Sequence, residues 1–147
     1  MPHYKHTQIG YVTGGVGAAA TALVYYAFRA EYGEVGWGGL AMTGGMAAVA
    51  TLFSTLTVVV DEEELRFYFG PGFWTRRISL ADIRRVETVR NRALYGWGIR
   101  YTFHGWLYNV SGLQAVELTV AGEGQIRIGT DEPETLKAVL DRVRAAV

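Results

Sequence analysis

The chain has 147 residues, half of them apolar, with fourteen acidic and fourteen basic side chains and a formal net charge of zero. That balance gives no electrostatic case for a nucleic-acid partner, and the absence of cysteine excludes disulfides, thiolate metal sites and cysteine nucleophiles. All but four charges lie from Asp61 onward, so the chain divides into two apolar runs and one small polar domain.

The N-terminus carries His3, Lys5 and His6, read as a mobile tail rather than a metal site. IGYVTGGVGAAATALVYYAF (9–28) then gives twenty uncharged residues, about 30 Å of helix, enough to cross a bilayer. A second uncharged run starts at Gly36, and its β-branched end predicts a change from helix to strand near Ser54–Thr57. The expected division is a tail with membrane helices at about 9–28 and 36–56, then a β domain over 57–147. Tyr25, Tyr26, Phe28, Tyr32 and Trp37 surround the short link between the spans, as an interfacial aromatic belt does. Lys5 before the first span, against one Arg and two Glu in the link, favours a cytoplasmic N-terminus. Two spans then return the C-terminal domain to the same side. Gly10, Gly14, Gly15, Gly44 and Gly45 are small-residue positions where helix backbones can approach closely. Neither span holds an ionisable residue, which argues against a proton or ion pathway.

Past the second span the apolar period becomes two. Leu56, Val58 and Val60 alternate, then Leu65, Phe67 and Phe69, with Asp61–Glu64 as a charged turn between them. Gly70–Gly72 is the next turn, and Ile78 and Leu80 continue a third strand. Ile83, Val86 and Val89 break strict alternation, which predicts a bulge near Arg84–Arg85. Val116, Leu118 and Val120 form another strand, and Ile126 and Ile128 pair back after a glycine turn. The last segment reads as a helix at about 131–145, capped by Asp131 or Thr130, with Pro133 in its first turn and Glu134 completing a capping box. Short antiparallel strands closed by one amphipathic helix predict a partly open barrel or sandwich.

RISLADIRRVETVRNRALYGWGIR, HGWLYNVSGLQAVEL and RIGTDEPETLKAVL carry a resemblance over roughly residues 55–146. The chain resembles small bacterial membrane proteins that place a pleckstrin-homology-like domain after two membrane spans. The resemblance implies a PH-like fold and a place in the bacterial cytoplasmic membrane. The arginine-rich basic composition, with Lys5 and Lys137 as the two lysines, fits a bacterial origin. Many eukaryotic PH domains bind phosphoinositides through basic residues at the first hairpin turn. Here that turn is Asp61–Glu64, an acidic departure that repels phosphates.

Enzymatic signatures are missing from the sequence. Serine occurs at 54, 79 and 111 without a nucleophile elbow, and the β domain holds one histidine, His104. Gly96-Trp97-Gly98 is not a dinucleotide fingerprint. No cofactor or metal is expected. Strand counting places two connections near the bilayer, and both mix aromatics with arginines. Phe73, Trp74, Arg76 and Arg77 lie in one, and Arg90, Arg92, Leu94, Tyr95 and Trp97 in the other. Aromatic rings suit the headgroup level and arginines suit anionic lipid. Trp106 and Tyr108 are expected in the core, as Trp74 and Trp97 are in the alternative to membrane contact. Arg100, Thr102 and His104 share a strand face. Arg100 and His104 can bind an anion or bond backbone carbonyls around the following turn. The expected function is a membrane-anchored, non-enzymatic interaction or scaffolding module. Its partners are membrane lipids and a protein or a second copy of the chain. The alternative is anionic lipid or ligand binding by segments 73–77 and 90–104.

Overall fold

The inner faces of two β-sheets and one C-terminal helix share a single core, and a helical hairpin projects from the first sheet. The computed structural model describes residues 2–146. In chain order the elements are β1 (Tyr4–Ile9), α1 (Tyr11–Tyr32), α2 (Trp37–Leu52), β2 (Thr55–Val60), β3 (Glu64–Phe69) and β4 (Trp74–Ser79). Then come β5 (Ile83–Arg90), β6 (Gly98–Thr102), β7 (Gly105–Asn109), β8 (Gln114–Val120), β9 (Gly124–Gly129) and α3 (Pro133–Arg144).

The N-terminal residues are not a tail. β1 runs antiparallel to β2 from Tyr4 opposite Val60 to Ile9 opposite Thr55. The helical hairpin is therefore an insertion between two paired strands, held at both ends. This pairing also ends α2 at Leu52 rather than near 56, because β-branched Thr55 and its successors are taken into the sheet. Gly10 is the joint. A Cβ there would lie 2.8 Å from both the Ser54 carbonyl and the Val110 side chain, so the chain can turn from strand to helix at this spot only without a side chain. Thr13 Oγ1 donates within the same joint, reaching the carbonyls of Gly10 and Val110, both at 3.1 Å. α1 ends at Gly33 in the left-handed region, whose N–H caps the Arg29 carbonyl.

The first sheet has the order β1-β2-β3-β4, and the second β5-β8-β9-β7-β6. All pairs are antiparallel except β7 with β9. The sheets do not join into a closed barrel. Phe67, Phe69, Leu65 and Val58 from one sheet meet Val116, Leu118, Ile126 and Ile128 from the other. Leu136, Val139, Leu140 and Val143 of α3 complete the core. The register of β5 on β8 shifts between Ile83 and Arg85, where broken alternation places a bulge.

The capping box at α3 does not form. Asp131 instead accepts a 2.6 Å hydrogen bond from His6 Nε2, and Thr130 Oγ1 accepts from the Glu132 N–H. A partner strand distant in sequence has taken the side chain that local pattern assigned to the helix.

The single parallel pair depends on Gly105. Its φ is +98°, and a Cβ would meet the Gln125 carbonyl oxygen at 2.0 Å. Gly105→Ala is expected to destabilise the fold by more than the ~1–3 kcal/mol of positive-φ strain alone, since the clash is with backbone. Thermal unfolding in detergent reads the loss. Unchanged stability would mean that β7 can shift off β9 at little cost.

Candidate functional site

β6 closes the second sheet on one side with β7 and, among the described residues, has no strand on its other side. Its backbone donors and acceptors on that side are free to pair. The strand and its turn also present Tyr101 at 74% exposure and Phe103 at 100%. Leu94, 91% exposed, and Tyr95 come from the connection after β5 and line one shallow cavity with Arg100, Tyr101 and Phe103. Thr102 Oγ1 donates to the Gly105 carbonyl and accepts from the His104 N–H, so the turn is built by its own hydroxyl.

The Tyr101–Phe103 end of this edge lies away from the helical hairpin, while Gly98 at its start pairs with Asn109 near the hairpin base. Val110, just past β7, packs on Gly10 at the hairpin base. Gly105 begins β7 at the other end of a five-residue strand, roughly 15 Å away. The two ends are nevertheless joined by rings in succession. Phe73 packs on Phe53 (5.2 Å between centroids), Phe53 on Phe69 (5.4 Å) and Phe69 on Trp74 (5.7 Å). Trp74 stacks on Tyr108 (5.2 Å), Tyr108 on Trp106 (6.3 Å), and Trp106 meets Tyr101 edge-on (5.4 Å). Tyr108 is the fixed centre of this series. Arg76 lies over its ring, donates to its hydroxyl and pairs with Glu123. Burial pushes the Tyr108 hydroxyl pKa up, and the adjacent guanidinium partly opposes that.

The residues singled out in the sequence separate into groups. Phe73 is half exposed and sits at the hairpin base against Phe53. Trp97 donates through Nε1 to the Gly112 carbonyl, and Gly112 lies beside Gln8, two residues before the Gly10 joint. Trp74 packs against the core and Arg76 is committed to Tyr108 and Glu123. Arg77 points to the other sheet face, 3.7 Å from Glu64. Arg92 is exposed and opens the short 3-10 turn at Ala93–Tyr95 that carries Leu94 and Tyr95 to the β6 edge. Arg90 and Arg100 line different cavities, so the basic side chains of 90–104 do not form one pocket. Arg100 donates to the Trp97 carbonyl at 3.0 Å, and His104 packs edge-on against Tyr95. Tyr108 is buried as expected, but Trp106 is only partly covered, because β6 and β7 extend past the core.

The glycines of the hairpin also divide. The close approach of α1 to α2 is at Gly17 against Ala50, and Gly14 faces Ser54. A side chain added at Gly15, Gly44 or Gly45 would meet nothing within 4 Å, so these positions leave their helix faces open instead of packing the pair.

Sequence patterns also missed β1. Tyr4, His6 and Gln8 face inward, a polar stripe that gives no apolar alternation. Tyr4 donates to Glu132 at 3.3 Å, and burial together with the Glu132 carboxylate holds its pKa well above the ordinary tyrosine value near 10. A raised folded-state pKa means this contact stabilises fully below about pH 10 and is lost as pH rises past that value. Tyr4→Phe is therefore expected to flatten the alkaline fall in melting temperature. An identical alkaline profile for both chains would remove Tyr4 from the explanation.

A scan against protein-family models finds no match to this chain, and a search of curated proteins finds no similar sequence.

Proposed function

We propose that this protein is a non-enzymatic, membrane-anchored interaction module. The helical hairpin is its anchor and the β6 edge is its docking strand. The β domain is read as PH-like, on the resemblance of its sequence. The location is read as the bacterial cytoplasmic membrane, with both termini cytoplasmic.

Several features support anchoring. Among the described residues α1 alone is long and apolar enough to cross a membrane by length and composition, and none of it is buried in the protein. It is 22 residues, about 33 Å of helix. α2 has 16 residues, about 24 Å, so a second crossing needs local thinning of the bilayer or residues beyond the helix ends. Val16, Leu23, Leu40, Met42 and Val49 are exposed around the hairpin, a surface unsuited to water. Exposed Tyr32 and Trp37 mark its tip and exposed Tyr11 its base, where interfacial rings belong. Pairing of β1 with β2 keeps both ends of the hairpin on one side.

The observation that carries the interaction reading is the open β6 edge with exposed Tyr101, Phe103 and Leu94. An added strand gains main-chain hydrogen bonds there, and the rings supply apolar contact. A photo-crosslinking residue at Phe103, activated in native membranes, is expected to give a discrete protein adduct. The same residue at Glu62, in the acidic turn, is expected to give none. Lipid-only adducts at position 103, or equal adducts at both positions, would sink the docking-strand reading.

A further inference from the structure

A cavity of about 380 Å³ lies where β1 meets the second sheet, lined by Gln8, Arg90, Gly112, Gln114, Thr130 and Asp131. Gln8 is 6% exposed. Its Nε2 donates to the Ser111 carbonyl at 3.2 Å, which fixes the amide orientation and leaves Oε1 buried without a donor. A buried acceptor left this way is unsatisfied, so a donor that reaches it from the cavity is favoured. Asp131, already held by His6, adds a carboxylate to the lining. Arg90 is exposed, lines the cavity and makes no ion pair among the described residues. The lining therefore offers acceptors to a donor or cation and a guanidinium to an anion.

The geometry points to a site for a phosphate ester that carries a primary ammonium. The phosphate meets Arg90, and the ammonium meets Gln8 Oε1 and the Asp131 carboxylate. Gln8 stands two residues from the Gly10 joint, at the base of the hairpin, which places the site at headgroup level if the hairpin is in the bilayer. That last step rests on the anchoring reading. The chemistry of the cavity does not, since a soluble phosphoethanolamine ester presents the same groups.

The full chain is reconstituted into nanodiscs holding equal phosphatidylethanolamine and phosphatidylglycerol, and retained lipid is identified by native mass spectrometry. Wild type is expected to retain phosphatidylethanolamine preferentially. Arg90→Gln, at an exposed and unpaired position, is expected to lower retention roughly tenfold, the scale of one charge-assisted contact. Gln8→Leu is expected to abolish the preference between the two lipids while leaving retention of both. A second arm titrates glycerophosphoethanolamine onto detergent-solubilised protein and follows the amides of Gln8 and Gly112–Gln114. Lipid selectivity sensitive to both variants supports the site with a lipid source. Binding of the soluble ester without lipid selectivity supports it with a soluble source. No selectivity in either arm, or selectivity unchanged in Arg90→Gln and Gln8→Leu, overturns it. Carbonate extraction tests anchoring separately, so a chain that leaves the membrane and still binds the soluble ester overturns the anchoring reading alone.

Discussion

Truncating either member of the Glu117–Arg127 pair is expected to destabilise the β domain by about 3–5 kcal/mol, the scale for leaving a buried charge uncompensated. The two side chains are each 10% exposed, on the outward face of the second sheet, with Arg127 Nε donating to Glu117 Oε2 at 2.6 Å. They are directly opposite in the β8–β9 register, so no rearrangement is needed to form the bond. Arg127 also donates through a terminal nitrogen to Asn91 Oδ1 at 3.2 Å. Asn91 opens the long connection that carries Leu94 and Tyr95 to the β6 edge. Arg127→Ala therefore has two effects that Glu117→Ala lacks in part. It leaves Glu117 buried alone, and it releases the anchor of the connection. Replacing both charges with apolar residues of similar volume, as in Glu117→Leu with Arg127→Met, is expected to recover much of the stability. Hydrogen exchange at residues 92–97 is expected to become faster than in wild type in both Arg127 variants. Thermal melts of the four chains in detergent compare the single truncations with the apolar replacement. Single variants within about 1 kcal/mol of wild type would show that the pair is solvated and contributes no more than a surface bridge.

This pair also shows what sequence could not supply. Glu117 and Arg127 each stand at polar positions between apolar ones, a pattern that in antiparallel strands commonly marks the solvated face. Only the connection from Asn91 crossing the sheet makes them interior, and nothing local announces that crossing. The same limit applies to β1. Its inward stripe of Tyr4, His6 and Gln8 lacks the apolar period of a strand, and its partner lies about fifty residues away, beyond the whole hairpin. Where the signal is local, the sequence was readable. The Asp61–Glu64 turn joins β2 to β3, the broken alternation after Ile83 is a register shift, and the apolar face of α3 is its core face. Site residues divide in the same way. The abundance of aromatics over 90–112 was plain, but burial was not. Tyr101 and Trp106 share a sheet face with core residues Leu118 and Ile126, yet they extend past the edge of the core and stay uncovered. Arg76 was legible as a cation and not as the clamp on Tyr108, because β4 and β7 meet only in three dimensions.

Replacing Tyr11–Phe53 with Asn-Gly is expected to move the chain from the membrane pellet to the soluble fraction as a folded β domain. The expectation follows from register. The Gly10 N–H bonds the Ser54 carbonyl, so residues 10 and 54 face each other as the last pair of the β1–β2 ladder. A two-residue Asn-Gly turn closes such a pair with the twist that antiparallel strands require. The excision removes the exposed apolar hairpin and leaves nearly all of the core, since α1 contributes no buried residue and α2 only Gly39 and Thr43. Its main loss inside the domain is the Phe53 ring against Phe69 and Phe73, a deletion that costs up to about 3–5 kcal/mol if the gap does not close. Phe69 stays covered by Trp74, which limits the damage. Carbonate-washed membranes and the soluble fraction are compared for the two chains. The full chain is expected in the pellet and the excised chain in the supernatant with strand-rich circular dichroism. If the full chain is itself soluble without detergent, the hairpin is not an anchor, and its exposed surface must be covered by protein. If the excised chain is unfolded, the hairpin is a structural part of the domain. Because β1 and β2 already form the ladder, the excised chain is expected to fold without the hairpin and to keep the β6 edge intact.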